Sequence, residues 1–120
     1  MKKKVLVIGA SQNPERFSFI AIKKLLHFGH EVVALGAKSG MVDGVIIETE
    51  KIKFNDIHTV TLYIGSKNQD GYLDYLLKLK PTRVIFNPGT SNFELEQALE
   101  NAGIEVVQNC TLVMLDAGSF

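Results

Sequence analysis

The sequence predicts an α/β fold with a mainly parallel sheet, in a single domain of 120 residues. Three observations predict it. Short apolar runs recur without polar alternation, as in Val5-Leu6-Val7-Ile8 and the EVVAL run from Glu31 to Leu35, which suits strands buried on both faces. Helical spacing of apolar residues fills intervals between such runs. The first strand–helix–strand unit spans about 30 residues, the size of one βαβ crossover, which is expected to be right-handed.

The elements follow in order. Val5 to Ile8 is the first strand, broken by Gly9-Ala10-Ser11-Gln12-Asn13-Pro14. Phe19, Ile22, Leu25 and Leu26 recur at spacings of three and four, and Gly29 is the helix stop. Glu31 to Leu35 is the second strand. From Gly36 to Asn55 the pattern is less regular, punctuated by Gly36, Gly40 and Gly44, with Val45-Ile46-Ile47 as a short strand. Val60 to Ile64 is a strand ending at Gly65. Gln69 to Lys80 reads as a helix with Tyr72, Leu73, Leu76 and Leu77 on one face, ended by Pro81. Arg83 to Phe86 is a strand leading into Asn87-Pro88-Gly89. Ser91 and Glu94 make a capping-box signature before a helix through Leu95, Ala98, Leu99 and Ala102, closed by Gly103. Glu105-Val106-Val107 is the last strand, and Thr111 to Phe120 starts as a short helix and then frays.

Composition narrows the function classes. Apolar residues at 46% and charged residues at 22% describe a globular chain rather than a disordered one. Thirteen Lys and Arg balance thirteen Asp and Glu, which argues against a nucleic-acid binder, whose affinity needs surplus cations. The balance is uneven along the chain. Residues 1–40 carry seven basic and two acidic residues, whereas residues 84–120 carry five acids and no Lys or Arg. The single cysteine, Cys110, excludes an intramolecular disulfide and a multi-cysteine zinc site. Lys2, Lys3 and Lys4 precede an apolar run, but Gly9, Gln12 and Asn13 end it before it reaches the ~7–15 residues of a secretory signal. No apolar run approaches the ~20 residues that span a bilayer. The expectation is a cytoplasmic protein without a membrane or nucleic-acid partner.

In open α/β sheets, ligands bind at the carboxyl ends of the strands, near the switch in strand order. Four strand exits are therefore the places to search. At the first, Gly9, Ala10, Ser11 and Asn13 let backbone N–H groups approach a ligand, and the helix that follows favours an anion. Arg16 and the hydroxyls of Ser11 and Ser18 add donors for a phosphate. The same residues also suit an ordinary strand-to-helix turn capped by Ser11 or Asn13. The three-glycine dinucleotide fingerprint is absent, because positions 11 and 14 are Ser and Pro. No acid follows the second strand to hold a ribose diol. Lys38 stands there instead, as a solvated lysine or as the partner of a phosphate on a ribose, as in CoA or NADP. Tyr63, Ile64 and Gly65 make an apolar wall or the plain end of a core strand. Asn87-Pro88-Gly89 forms a turn able to present backbone donors to the same crevice. His27 and His30 lack a carboxylate or cysteine at ligand spacing, and Cys110 has no visible base, so it reads as buried or inert. No paired-carboxylate or nucleophile constellation marks a catalytic centre.

These residues resemble a family. Val7-Ile8-Gly9-Ala10-Ser11 with Asn13-Pro14 and Arg16 is similar to the opening of the small single-domain CoA-binding proteins, themselves similar to the CoA-binding domain of the succinyl-CoA ligase α subunit. The likeness continues through Leu25-Leu26-His27-Phe28-Gly29-His30-Glu31-Val32, Lys38, Gly44, Asn87-Pro88-Gly89 and Ala102 to Val107, with Asn109-Cys110 after it. It covers residues 1–120 nearly end to end. The resemblance implies a Rossmann-like three-layer fold holding a CoA-type nucleotide at the first loop. By that resemblance Gly9, Ala10, Ser11 and Arg16 approach the phosphates, Lys38 pairs with a phosphate, Tyr63, Ile64 and Gly65 line the crevice, and Pro88 and Gly89 face the thiol arm. Where the family usually has Asn-Pro after the second strand, this chain has Gly36-Ala37. The ligases' phosphorylatable histidine loop and nucleotide-grasping subunit are absent, so ligase activity does not carry over.

The function expected is binding of coenzyme A or an acyl-CoA by a non-catalytic module, with a regulatory use. Three alternatives stand beside it. They are a module for another phosphorylated nucleotide such as NADP, a small enzyme acting on an acyl-CoA thioester through Cys110 or a histidine, and a structural subunit that has lost the pocket.

Overall fold

The computed structural model describes residues 2–120. The chain runs β1 (Lys4–Ile8), α1 (Phe17–His27), β2 (Glu31–Leu35), β3 (Gly40–Val42), β4 (Val45–Glu48), β5 (Thr59–Leu62), α2 (Tyr72–Leu79), β6 (Arg83–Phe86), α3 (Phe93–Asn101), β7 (Glu105–Gln108) and α4 (Thr111–Ala117). Successive side chains of a strand point to opposite faces, so β1 builds two cores at once. Val5 and Val7 pack with Ile22 and Leu25 of α1 and Leu115 of α4. Leu6 and Ile8 pack with Leu76 of α2 and Leu99 of α3. All four β1 residues are fully buried, which is why the run has no polar alternation. The result is a three-layer α/β sandwich of the Rossmann-like kind.

The sheet has seven strands in the order β3-β4-β2-β1-β5-β6-β7. Every neighbouring pair is parallel except β3 and β4. Counted among the parallel strands alone, the order is 3-2-1-4-5-6, the order of dinucleotide-binding folds, with its reversal between β1 and β5.

Several local expectations shift. The irregular stretch after Gly36 holds the short strand expected at Val45, extended to Glu48, and also an unforeseen partner, β3. The two form a hairpin whose turn residues, Asp43 (φ 47°) and Gly44 (φ 84°), are both left-handed, as a two-residue turn matching the strand twist requires. The strand expected from Val60 to Ile64 instead covers Thr59 to Leu62. The helix expected from Gln69 starts at Tyr72 instead. Gln69 is buried because its side-chain amide donates to the carbonyls of Ile64 (2.9 Å) and Thr90 (2.7 Å), tying two strand-exit loops together. The capping box expected of Ser91 and Glu94 is displaced, its cap by one residue and its acid by two. Asn92 is the N-cap, accepting from the Leu95 N–H at 3.1 Å, and Glu96 accepts from the Asn92 N–H at 2.8 Å. Gly29 does end α1, at φ 86°, with the His30 N–H returning to the Leu25 carbonyl.

At the amino edge of the sheet, Arg83 donates to Thr59 Oγ1 (2.9 Å) and to the Phe120 carbonyl (2.8 Å). His30 and His58 lie in the same region. Burial, reinforced for His30 by Lys3 and for His58 by Arg83, holds both imidazoles below their ordinary pKa of 6.5. The unfolded chain therefore binds protons that the folded one refuses. Stability contributed by these neutral imidazoles is complete above pH 6.5 and is lost as the pH falls through the folded values. Proton NMR titration should place both histidines below 6.5. A value above it for either would contradict the burial argument.

Candidate functional site

Three strand exits, those of β1, β2 and β5, meet at the reversal in strand order, and two glycines let them touch. Gly9 has φ +91°, and a Cβ there would stand 2.9 Å from the backbone C and O of Tyr63. Gly36 has ordinary φ, but a Cβ there would stand 2.3 Å from the Ala10 carbonyl oxygen. The N–H groups of Gly9 and Ala10 both donate to the Leu35 carbonyl, at 2.9 and 2.8 Å. The first loop is thereby fastened across the end of β2.

Beyond that point the loop is shaped by its own side chains. Ser11 Oγ accepts from the Asn13 N–H, and Asn13 Oδ1 accepts from the Glu15 N–H, each at 3.0 Å. Neither caps α1, whose N-cap is Arg16 with no side-chain cap bond. Among the described residues, the N–H groups of Ser11, Gln12, Phe17 and Ser18 donate to no protein atom. Gln12 Oε1 accepts from the Met41 N–H at 3.0 Å and joins the loop to β3.

The loops enclose a cleft of about 480 Å³. Of the residues singled out from sequence, it brings together Gly9, Ala10, Ser11, Asn13, Arg16, Lys38 and Tyr63. It also takes in Gln12, Ala37 and Ser39, which sequence reasoning missed. The signal for Gln12 lay in the loop already suspected; Ala37 and Ser39 flank Lys38. Three lysines pair with acids, in Lys4–Glu31, Lys23–Asp43 and Lys24–Asp116. Arg16 and Lys38, like the remaining lysines, make no ion pair among the described residues, and these two line the cleft.

Ser18, Ile64 and Gly65 do not line this cleft. Ser18 is buried in the first turn of α1. Ile64 gives its carbonyl to Gln69, and Gly65 lies beside the Gly89 carbonyl, where a Cβ would stand 4.0 Å away. Asn87 and Pro88 belong to a second groove of about 380 Å³, shared with Phe86, Ser91, Gln108, Asn109 and Cys110. Cys110, expected to be buried or inert, is only partly buried, at the N-cap position of α4. The Asn87 side chain is hydrogen-bonded within the protein. Its amide donates to Thr61 Oγ1 (2.7 Å) and the Leu62 carbonyl (2.8 Å), and its oxygen accepts from the Thr111 N–H (2.8 Å), joining β5, β6 and α4. Tyr63 lines the first cleft, and burial pushes its phenol up to about 12, although the hydroxyls of Thr111 and Thr61 pull it back.

A model of the family described as "CoA binding domain" matches residues 3–116. The chain belongs to this CoA-binding domain family. An uncharacterized protein of known crystal structure is 48% identical, with a TM-score of 0.97 over 100% of this chain and 99% of that one. A hypothetical protein from Pyrococcus horikoshii OT3 is 28% identical, with a TM-score of 0.87 over 96% of this chain and 82% of that one. The dinucleotide-forming acetyl-coenzyme A synthetase 1 of Ca. Korarchaeum cryptofilum, in complex with phosphate and ADP, is 17% identical with a TM-score of 0.74. That likeness covers 89% of this chain and 25% of the synthetase, and shows a shared fold. Among curated proteins, none matches the chain. No helix of this CoA-binding-family chain is long and apolar enough to cross a membrane, among the described residues.

Proposed function

We propose that this member of the CoA-binding domain family binds coenzyme A or an acyl-CoA as a non-catalytic module. The observation that carries the reading is a charge gradient across the crevice. Arg16 and Lys38, both without an acidic partner, face the first cleft, whereas the groove lined by Asn87, Pro88, Ser91 and Cys110 contains no charged residue. Coenzyme A has the same polarity. One end carries a pyrophosphate and a ribose phosphate, and the other is an uncharged amide-bearing arm ending in a thiol. Unpaired cations and free backbone N–H groups suit the first end. Small and neutral polar residues suit the second.

The groove around Cys110 is lined by no His, Asp or Glu, so the thiol meets no general base there. That supports binding without turnover, and a regulatory use in which occupancy carries the signal. The residues of the fold would act as a cradle rather than as a reaction centre.

Coenzyme A should raise the melting temperature in proportion to RT ln(1 + [L]/Kd). No shift with millimolar coenzyme A, beside a clear shift with another nucleotide, would sink the proposal. NADP also carries a ribose phosphate that Lys38 could meet, so competition between the two ligands in one titration separates the readings. Arg16→Gln and Lys38→Gln should each weaken coenzyme A by about tenfold, as expected for one charge-assisted contact. The loss should shrink as salt is added, because exposed charges are screened. Calorimetry at low and high salt checks both statements.

A further inference from the structure

Among the described residues, one buried side-chain polar atom lacks a hydrogen-bond partner: the Tyr63 hydroxyl. Its nearest polar neighbours are engaged elsewhere. Thr61 Oγ1 accepts from Asn87 Nδ2 at 2.7 Å and shares a bond with Thr111 Oγ1 at 2.8 Å. The Thr61 and Thr111 hydroxyls are near enough to influence the phenol, yet neither makes a bond of good geometry with it. The Tyr63 backbone is fixed, its N–H donating to the Ile8 carbonyl at 2.8 Å. The side chain packs against the core cluster that includes Ile22, Leu25 and Leu115, so only its hydroxyl is left unsatisfied.

Position gives this orphan a meaning. Tyr63 lines the cleft that holds Arg16 and Lys38, and its buried hydroxyl lies near the fully buried Thr61 and Thr111, the residue after Cys110 of the uncharged groove. Burial of an unpartnered hydroxyl is unfavourable, so a movement that gave it a partner would be rewarded. Its proton is retained at neutral pH, so it remains a donor.

We propose that Tyr63 is the residue that reads the pantetheine arm, its hydroxyl turning out of its buried position to donate to an amide carbonyl of the bound ligand. This rests on the coenzyme A reading above. Phosphates already have Arg16, Lys38 and the first-loop N–H groups. The arm is neutral, and a neutral donor is what it needs.

Calorimetry of the wild type and Tyr63→Phe tests this, with coenzyme A and with adenosine 3′,5′-bisphosphate, a fragment without the arm. The variant should bind coenzyme A about tenfold more weakly and the bisphosphate unchanged, as one lost hydrogen bond implies. Without ligand it should melt at or above the wild-type temperature. Equal affinity for coenzyme A overturns the role of Tyr63, and equal losses for both ligands overturn its assignment to the arm. A lower melting temperature of the free variant overturns the orphan state of the hydroxyl. Wild-type protein that binds neither ligand overturns the coenzyme A reading itself.

Discussion

Gly9→Ala should lower stability by about 3 kcal/mol, of which a positive φ accounts for ~1–2 and overpacking for the rest. The residue sits at φ +91°, and its new Cβ would stand 2.9 Å from the Tyr63 carbonyl carbon and oxygen, which belong to a fixed backbone. In a domain whose whole stability is of order 5–15 kcal/mol, that is a large fraction. The melting temperature should drop by roughly 10 °C. Gly103→Ala is the internal control. It has a similar φ, +83°, but no atom within 4 Å of the added Cβ. Its loss should be near ~1 kcal/mol, the conformational share alone. Urea unfolding of the two variants measures the difference. Equal losses would mean that the β1 and β5 exits yield to each other, and that the close approach is not what glycine is there to permit.

Asn87→Asp should be destabilising by about 3 kcal/mol or more at neutral pH, as expected when a buried donor becomes an uncompensated charge. The wild-type amide donates to Thr61 Oγ1 and the Leu62 carbonyl and accepts from the Thr111 N–H. A carboxylate keeps the acceptor and turns a donor into an anion facing a carbonyl. Its pKa in the folded protein should rise above the unfolded value of ~3.9. The handicap is therefore smallest below that pH, where both states are protonated, and grows as the pH rises through the folded pKa. Asn87→Ala should cost a similar ~3 kcal/mol through the stranded Thr111 N–H, with no such pH dependence. Unfolding titrations at pH 4 and pH 7.5 distinguish the two variants. An aspartate variant as stable as wild type at neutral pH would show that α4 is not fastened through this side chain.

Much of the fold was legible because burial on both faces leaves a strong mark. The unbroken apolar runs at Val5 and Val84 could belong only to a sheet covered on two sides, and the capping glycines at 29 and 103 closed the helices between. Elements with weaker marks were missed or displaced. The hairpin of β3 and β4 announced itself only through Asp43-Gly44, and Met41 and Ile46, opposite each other on it, are more than half exposed. Gln69 looked like the start of a helix because its neighbours have helical spacing; its amide is instead spent on the Ile64 and Thr90 carbonyls. Asn92 displaced Ser91 as the cap because the geometry of the turn, rather than the motif, decides which oxygen meets the free N–H groups.

The candidate site was legible to a different depth. Small residues after β1, with Arg16 and Lys38, point to the first cleft on chemical type alone, because a phosphate would need cations and free donors. Sequence by itself therefore determined the fold class, the family likeness and the cationic side of the crevice. Tertiary structure decided the rest. It set Gly36 against the Ala10 carbonyl, engaged the Asn87 side chain as a strut between strands and α4, and left the Tyr63 hydroxyl without a partner. The physical reason is common to all three. Periodicity and residue type report which groups must avoid water, whereas hydrogen bonds and close approaches between residues 24 or more apart in sequence exist only once the strands are side by side.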